Sequence, residues 1–296
     1  MPATSVHTAV MPREVLKFLQ LRPGLRVMDG TVGAGGHSVK IQEKIDPEGC
    51  LIGFDRDPMM LQFAEDRLKE SSAQLVRASY TDAEQQLADL GIDQVDRVLL
   101  DLGLSSDQLA DRDRGFGFDA GGPLDMRFHA KRGKTAADLL ANLPAPALAE
   151  IFNDYADEPF AVQIADAICR RRKSNSLTTT SDLEDCVKSA VPGSALKSGK
   201  NPATRVFQAL RIAVNQELDH VRTMMQDVLP RILAPDGIVV VLTFHSIEDR
   251  LVKAAFKEKQ TWQVITKNPV EATPAEIRLN PRSRSTKLRA AKRLPM

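Results

Sequence analysis

Apolar and polar positions follow two alternating rhythms along the first hundred residues. Short apolar runs at 25–29, 51–55, 75–79 and 95–102 read as strands. Between them, residues 37–45, 59–69 and 82–90 place apolar side chains at helical spacing, as Met60, Phe63, Ala64 and Leu68 do. Pro58 stands where a first helical residue tolerates proline, since the amide it lacks has no partner there. Strand and helix in strict alternation predict a parallel sheet with helices on both faces and right-handed crossovers. From about 108 to 204 the rhythm stops. No strand pattern occurs there; a glycine-rich stretch at 114–122 leads into helical segments at 136–143, 145–155 and 161–172. A fourth helix, running to about Ala190, is predicted to open on the capping box Ser181-x-x-Glu184. Beyond it the pattern predicts one long helix from near Pro202 to Val221, a turn at Ala234-Pro-Asp-Gly237 and a fifth strand at 238–244. That strand is nearly all apolar, as a central parallel strand must be. Segments 263–267 and 287–291 are expected to close the sheet as an antiparallel hairpin. The fold class is therefore α/β: a doubly wound, mostly parallel sheet with an all-helical insertion between strands four and five. The expected division is 1–108 and 205–296 for the sheet core and 109–204 for the insertion.

Composition adds bounds to this picture. With 43% hydrophobic and 27% charged residues, the chain can bury a core and keep a polar surface. Residues 1–10 carry neither the basic start nor the apolar run of a secretory leader, and every apolar stretch is strand-sized, so no membrane span is expected. Cys50, Cys169 and Cys186 are scattered and read as core residues in a reducing cytosol, and the five histidines lack ligand spacing, so no metal is expected. A net charge of +1 alone argues against a nucleic-acid partner, but its distribution argues for one. Arg278, Arg282, Arg284, Lys287, Arg289, Lys292 and Arg293 form a strip without an acid, and Arg170, Arg171, Arg172 and Lys173 form an island. Shorter islands end at Lys134 and at Lys200, beginning at Lys131 and Lys197. These are candidate phosphate contacts, with Arg170, Arg171, Arg172, Lys173, Arg282, Arg284 and Arg289 foremost; a merely solvated strip is the alternative.

Candidate chemistry gathers after strand one. Asp29-Gly-Thr-Val-Gly33-Ala-Gly35-Gly36-His37 leaves a strand and opens a helix, where glycines permit close backbone approach to a ligand. Asp55 ends strand two, where a carboxylate accepts from ribose hydroxyls. The dinucleotide fingerprint requires a third glycine where this chain has Ser38. An acid four residues before Gly33 instead gives the D-x-x-x-G-x-G arrangement of Rossmann-like class I methyltransferases, whose cofactor, S-adenosylmethionine, bears an amino group and a sulfonium rather than a pyrophosphate. Asp101, closing strand four, stands where open α/β sheets bind ligands.

On these residues the chain resembles the MraW/RsmH family of small-subunit ribosomal RNA (cytosine-N4) methyltransferases. The resemblance runs from His7-Thr-Ala-Val10 through the glycine loop, Gly53-Phe-Asp-Arg-Asp57 and Asp101-Leu-Gly-Leu-Ser-Ser-Asp-Gln108. It continues in Arg114-Gly-Phe-Gly-Phe118, Gly122-Pro-Leu-Asp-Met-Arg127, residues 205–217, Phe244-His-Ser-Ile-Glu-Asp-Arg250 and Asn280 to Arg289. It implies S-adenosylmethionine as cofactor, held by Gly35, Gly36, His37, Asp55, Asp101 and Gln108, with Tyr80 near the adenine; Gly33 joins them on the glycine-loop pattern. It also implies small-subunit ribosomal RNA, in the ribosomal particle, as partner. The oligomeric state is left open.

The cytosine amino lone pair is delocalised, so methyl transfer to N4 demands in-line positioning and acceptors for the amino hydrogens. Many base amino-methyltransferases place an acid or amide, two prolines and an aromatic after strand four; here Asp101-Leu-Gly-Leu104 keeps only the acid. Candidate base-holding groups are Asp101, Ser105, Ser106 and, at the end of strand five, His245 with Phe244. Ordinary packing is the alternative for the last two. Methylation of DNA or of another RNA, or a non-catalytic assembly role, are the competing functional readings.

Overall fold

The computed structural model describes residues 8–117, 121–129, 132–174, 177–197, 199 and 201–295. His7, Phe118, Lys131 and Lys200, singled out above, lie outside the described residues. The chain forms two compact units, one of residues 1–105 with 218–296 and one of residues 106–217.

The first unit is built on eight strands: β1 (Arg26–Asp29), β2 (Cys50–Phe54), β3 (Gln74–Val76), β4 (Val95–Asp101), β5 (Leu233–Thr243), β6 (Trp262–Val264), β7 (Val270–Glu271) and β8 (Lys287–Arg293). They lie in the order β3-β2-β1-β4-β5-β8-β6, with β7 paired to β8. The first five are mutually parallel. β8 enters antiparallel to β5 and β6. The two segments expected to close the sheet do pair antiparallel, but not as a hairpin: β7, helix Pro274–Leu279 and a 3-10 turn intervene, and β8 lies between β5 and β6.

Successive side chains on a strand point to opposite faces. Met28, Ile52, Val98, Leu100, Val239 and Val241 fill one layer, against Leu87, Ile232 and Val252 of helices Ala83–Asp89, Leu229–Ile232 and Ser246–Ala255. Val27, Leu51, Leu99, Val240 and Leu242 fill the other, against Val15, Leu19, Ile41 and Ile45 of helices Pro12–Leu19 and Gly36–Ile45. Each such side chain contributes about 1.5–3 kcal/mol when fully buried. Because both faces are apolar, register rests on the backbone ladder and the helices rather than on a polar face.

Three local expectations change. The turn at 234–237 does not precede β5 but bulges from it: Val95 and Arg97 of β4 face Leu233 and Ile238, with Asp236 left-handed at φ 63. The long helix after Pro202 is broken, because Gln216 adopts φ 54 and ends helix Thr204–Asn215 before Glu217–Thr223 begins. That break sits at the boundary of the two units, 217/218, where 204/205 was expected. The physical reason is packing: helix Thr204–Asn215 lies against helix Ala145–Ala156.

The second unit contains helices Ala136–Asn142, Ala145–Ala156, Ala161–Arg171, Thr180–Ala190 and Thr204–Asn215. Phe152, Ile164, Leu183 and Leu210 are among its buried side chains. Its only β pairing among the described residues is a bridge between Pro123 and Thr179. Helix Thr180–Ala190 is capped by Thr179 and Asp182, not by Ser181 and Glu184. The Thr179 hydroxyl accepts from the Asp182 amide, and the Asp182 carboxylate accepts in return. Glu184 is instead ion-paired one turn on, with Lys188 at 2.7 Å.

Candidate cofactor site

Register places three carboxylates at one edge of the sheet. Asp29 pairs across with Gly53 on β2 and Leu99 on β4, so Asp55, just past the end of β2, and Asp101, the last residue of β4, each stand two residues beyond its level. That edge, at β1, is where the strand order reverses, the crevice in which open α/β sheets take ligands.

Asp29 is not exposed to that crevice. It is buried; its Oδ1 accepts from the Thr31 amide at 3.1 Å and its Oδ2 from the Ser38 hydroxyl at 2.6 Å. Burial pushes its carboxyl above the usual range, against the Ser38 hydrogen bond. Its role is to tie the glycine loop to helix Gly36–Ile45. Gly33 and Gly35 both have positive φ, 51 and 81, and Gly35 caps that helix; a side chain at either would be strained there. Gly36 opens the helix against Ala9, which a Cβ would approach at 3.2 Å.

Asp55 accepts from the Gly33 amide at 3.0 Å and from the Asp57 amide at 2.8 Å, one bond to each oxygen. Its carboxyl is pushed up to about 7, chiefly by burial, with Asp57 and Asp29 adding repulsion. Asp101 receives structure from Thr31, whose hydroxyl accepts its amide at 2.6 Å. His37 Nε2 lies 3.5 Å from Asp101 Oδ2. That nitrogen and Asp101 Oδ1 are buried without a hydrogen-bond partner among the described residues. Tyr80 starts the short 3-10 turn after β3, its ring edge-on to His220 with centroids 6.3 Å apart.

The predicted base-holding residues separate. Ser105 is buried, its hydroxyl 3.2 Å from Met60 Sδ. Phe244 packs beside Gly103, whose φ of 98 lets the loop after β4 pass the ring. His245 caps helix Ser246–Ala255: its Nδ1 accepts from the Glu248 amide at 3.4 Å, and its Nε2 lies 3.0 Å from Glu248 Oε1. Glu248 also accepts from the Phe244 amide at 3.0 Å. These contacts tie His245 to the start of helix Ser246–Ala255, while its Nε2 is buried without a hydrogen bond among the described residues. Ser106 and Gln108 belong to the second unit, in helix Ser106–Ala110, where Gln108 is buried.

Several predicted RNA contacts are corrected. Arg289 is buried on β8 in a bidentate pair with Asp249, at 2.7 and 3.0 Å. Although burial opposes it, that guanidinium holds the Asp249 carboxyl below the usual range, with Lys287 adding to the effect. Arg282 is half-buried and donates to the Leu104 carbonyl. Arg293 is buried and donates to the Leu233 carbonyl, and Lys292 pairs with Asp236. Arg278 and Arg284 remain exposed. In the second unit Arg172 donates to the carbonyls of Leu140 and Leu143 at 2.8 and 2.7 Å, closing the end of helix Ala136–Asn142. Arg171 lies 3.8 Å from Asp182, while Arg170 and Lys173 are exposed. A basic run in sequence counts charges but not directions, and Arg172, Arg282, Arg289 and Arg293 turn to carbonyls or to a buried acid.

Sequence reasoning passed over Thr31, Asp57, the Arg56–His220 contact and the bond from Ser38, read only as a missing glycine, to Asp29. Only Asp57 carried a signal, as an acid directly before Pro58: it caps helix Pro58–Leu68 by accepting from the Met59 amide at 3.0 Å. Among the described residues, no group of three or more His, Cys, Asp or Glu is placed to hold a metal ion, and no helix is long and apolar enough to cross a membrane.

Comparison with known proteins meets this geometry. The chain is 44% identical to the ribosomal RNA small subunit methyltransferase H of Sorangium cellulosum, over 99% of this chain and 92% of that one. It is 42% identical to its namesake in Pelobacter propionicus, over 97% and 98%, and 41% identical to that of Geobacter sulfurreducens, over 98% and 100%. The model of the MraW methylase family matches residues 4–294, and the chain belongs to that family.

Proposed function

We propose that this chain transfers a methyl group from S-adenosylmethionine to the exocyclic N4 of a cytidine in small-subunit ribosomal RNA, acting in the cytoplasm on RNA within the ribosomal particle. The observation that carries the reading is the convergence of the glycine loop with Asp55 and Asp101. Two buried polar atoms there, His37 Nε2 and Asp101 Oδ1, have no hydrogen-bond partner among the described residues. Orphaned polar atoms are costly unless a ligand satisfies them. A ligand that donates and accepts hydrogen bonds through ribose and amino-acid groups fits this set.

When bound, S-adenosylmethionine supplies an electrophilic methyl on a sulfonium. Gly33, Gly35 and Gly36 would let the backbone approach it closely, Asp55 would offer lone pairs to the ribose hydroxyls, and Tyr80 would lie near the adenine. Asp101 Oδ1 would accept from N–H groups at the reacting end, with Ser105 in the loop that follows β4. A target base must be unstacked to reach such a crevice. The insertion, residues 106–217, is the part of the chain assigned to holding RNA, through exposed Arg170 and Lys173. Incubation with radiolabelled S-adenosylmethionine and small-subunit RNA, followed by nucleoside mass analysis, tests the proposal. The expected product is N4-methylated cytidine in RNA; label in duplex DNA alone, or no label, would refute it.

A further inference from the structure

Arg56 follows the ribose acceptor Asp55 directly, and its Nη1 lies 3.2 Å from His220 Nδ1. A guanidinium can only donate, so Nδ1 must carry the lone pair and the proton of neutral His220 sits on Nε2. Burial, with the Arg56 charge, holds the His220 imidazolium form down, which agrees with that tautomer. The same ring meets Tyr80 edge-on at an interplanar angle of 79°. Tyr80 also lies close to Gly30, where a Cβ would come within 3.1 Å of the Tyr80 Cβ. One half-buried imidazole, carried on helix Glu217–Thr223, thus touches both Arg56, the neighbour of Asp55, and Tyr80, the residue the resemblance implies near the adenine. They come from the end of β2 and from the turn after β3.

We propose that His220 is a positioning residue for the adenosine half of the cofactor, fixing Arg56 through a hydrogen bond and Tyr80 through ring contact. The inference rests on the cofactor reading above. A residue that acts in this way changes how tightly adenosine is held without touching the reacting atoms. An ordinary core histidine would change stability instead.

Calorimetric binding of S-adenosylhomocysteine separates the cases. His220→Ala is expected to weaken binding about threefold to tenfold, the range for one hydrogen bond. The KM for S-adenosylmethionine should rise in parallel while kcat stays within about twofold, the signature of lost ground-state binding. His220→Asn, which keeps an acceptor for Arg56, should restore most of the affinity. Nitrogen-15 shifts of the ligand-free protein should show His220 neutral and protonated at Nε2. Unchanged affinity in His220→Ala overturns the proposal, as does a proton on Nδ1. A loss that follows the melting temperature and is not rescued by asparagine does so too. Wild-type protein that fails to bind S-adenosylhomocysteine refutes the cofactor reading itself, a separate result.

Discussion

Arg289→Met removes a guanidinium from β8 and leaves the Asp249 carboxylate buried without its bidentate partner. The two side chains are 7% and 9% exposed, so water cannot replace the lost bonds. Breaking a buried pair from one side costs about 3–5 kcal/mol. Lys287 Nζ, 3.6 Å from Asp249 Oδ2, retains part of the compensation and puts the expected loss near the lower figure. At roughly 2–4 °C per kcal/mol for a unit of this size, the melting temperature should fall by about 6–12 °C. The folded pKa of Asp249 is depressed, so its contribution is present above the unfolded value of 3.8 and is lost as pH falls through the folded value. The loss in Arg289→Met should therefore be full at neutral pH and shrink in acid. Replacing both residues, as in Asp249→Leu with Arg289→Met, should recover most of the stability, because a well-packed apolar pair carries no stranded charge. Thermal and urea denaturation measure each variant, and filter binding to small-subunit RNA measures the alternative role. If Arg289→Met melts like the wild type yet loses RNA affinity, the guanidinium faces RNA and the buried pair is wrong.

Two further outcomes follow from the same geometry. Asp55, raised to about 7 from 3.8, holds a proton in the folded chain that the unfolded chain has released, so ligand-free stability should fall as pH climbs through that window. Ribose hydroxyls need the ionised form, so S-adenosylhomocysteine affinity should gain up to about tenfold per unit up to pH 7 and then level. Asp55→Asn should flatten that profile, and calorimetry across pH 5.5–8.5, roughly, reads it; a flat wild-type profile contradicts the assignment. Neutralising the exposed pair Arg278 and Arg284 should reduce the log–log salt slope of RNA binding by up to ~1–2 units, with cofactor affinity unchanged. A full slope in that double variant would place the phosphate path elsewhere.

The alternation of short apolar runs with helical spacing was enough to specify five parallel strands, because a strand buried on both faces must be apolar throughout and little else in a chain looks so. The acids Asp29, Asp55 and Asp101 were legible for a related reason: strand ends are readable, and a residue there stands at the carboxyl edge of the sheet, whichever way its side chain turns. Direction was not legible. Asp29 turned inward to Thr31 and Ser38, and Arg172, Arg289 and Arg293 turned inward to carbonyls or to Asp249, although their neighbours in sequence face water. A side chain's partner at long range is set by which strands and helices become adjacent, and 40 residues separate Asp249 from Arg289. The break at Gln216 was hidden for the opposite reason. Its left-handed backbone is imposed by packing of helix Thr204–Asn215 on its own unit, against a local pattern that favours continuing the helix. Local rules therefore placed the elements and the strand-end acids, and only the tertiary arrangement decided which charges serve the fold and which remain available to a ligand.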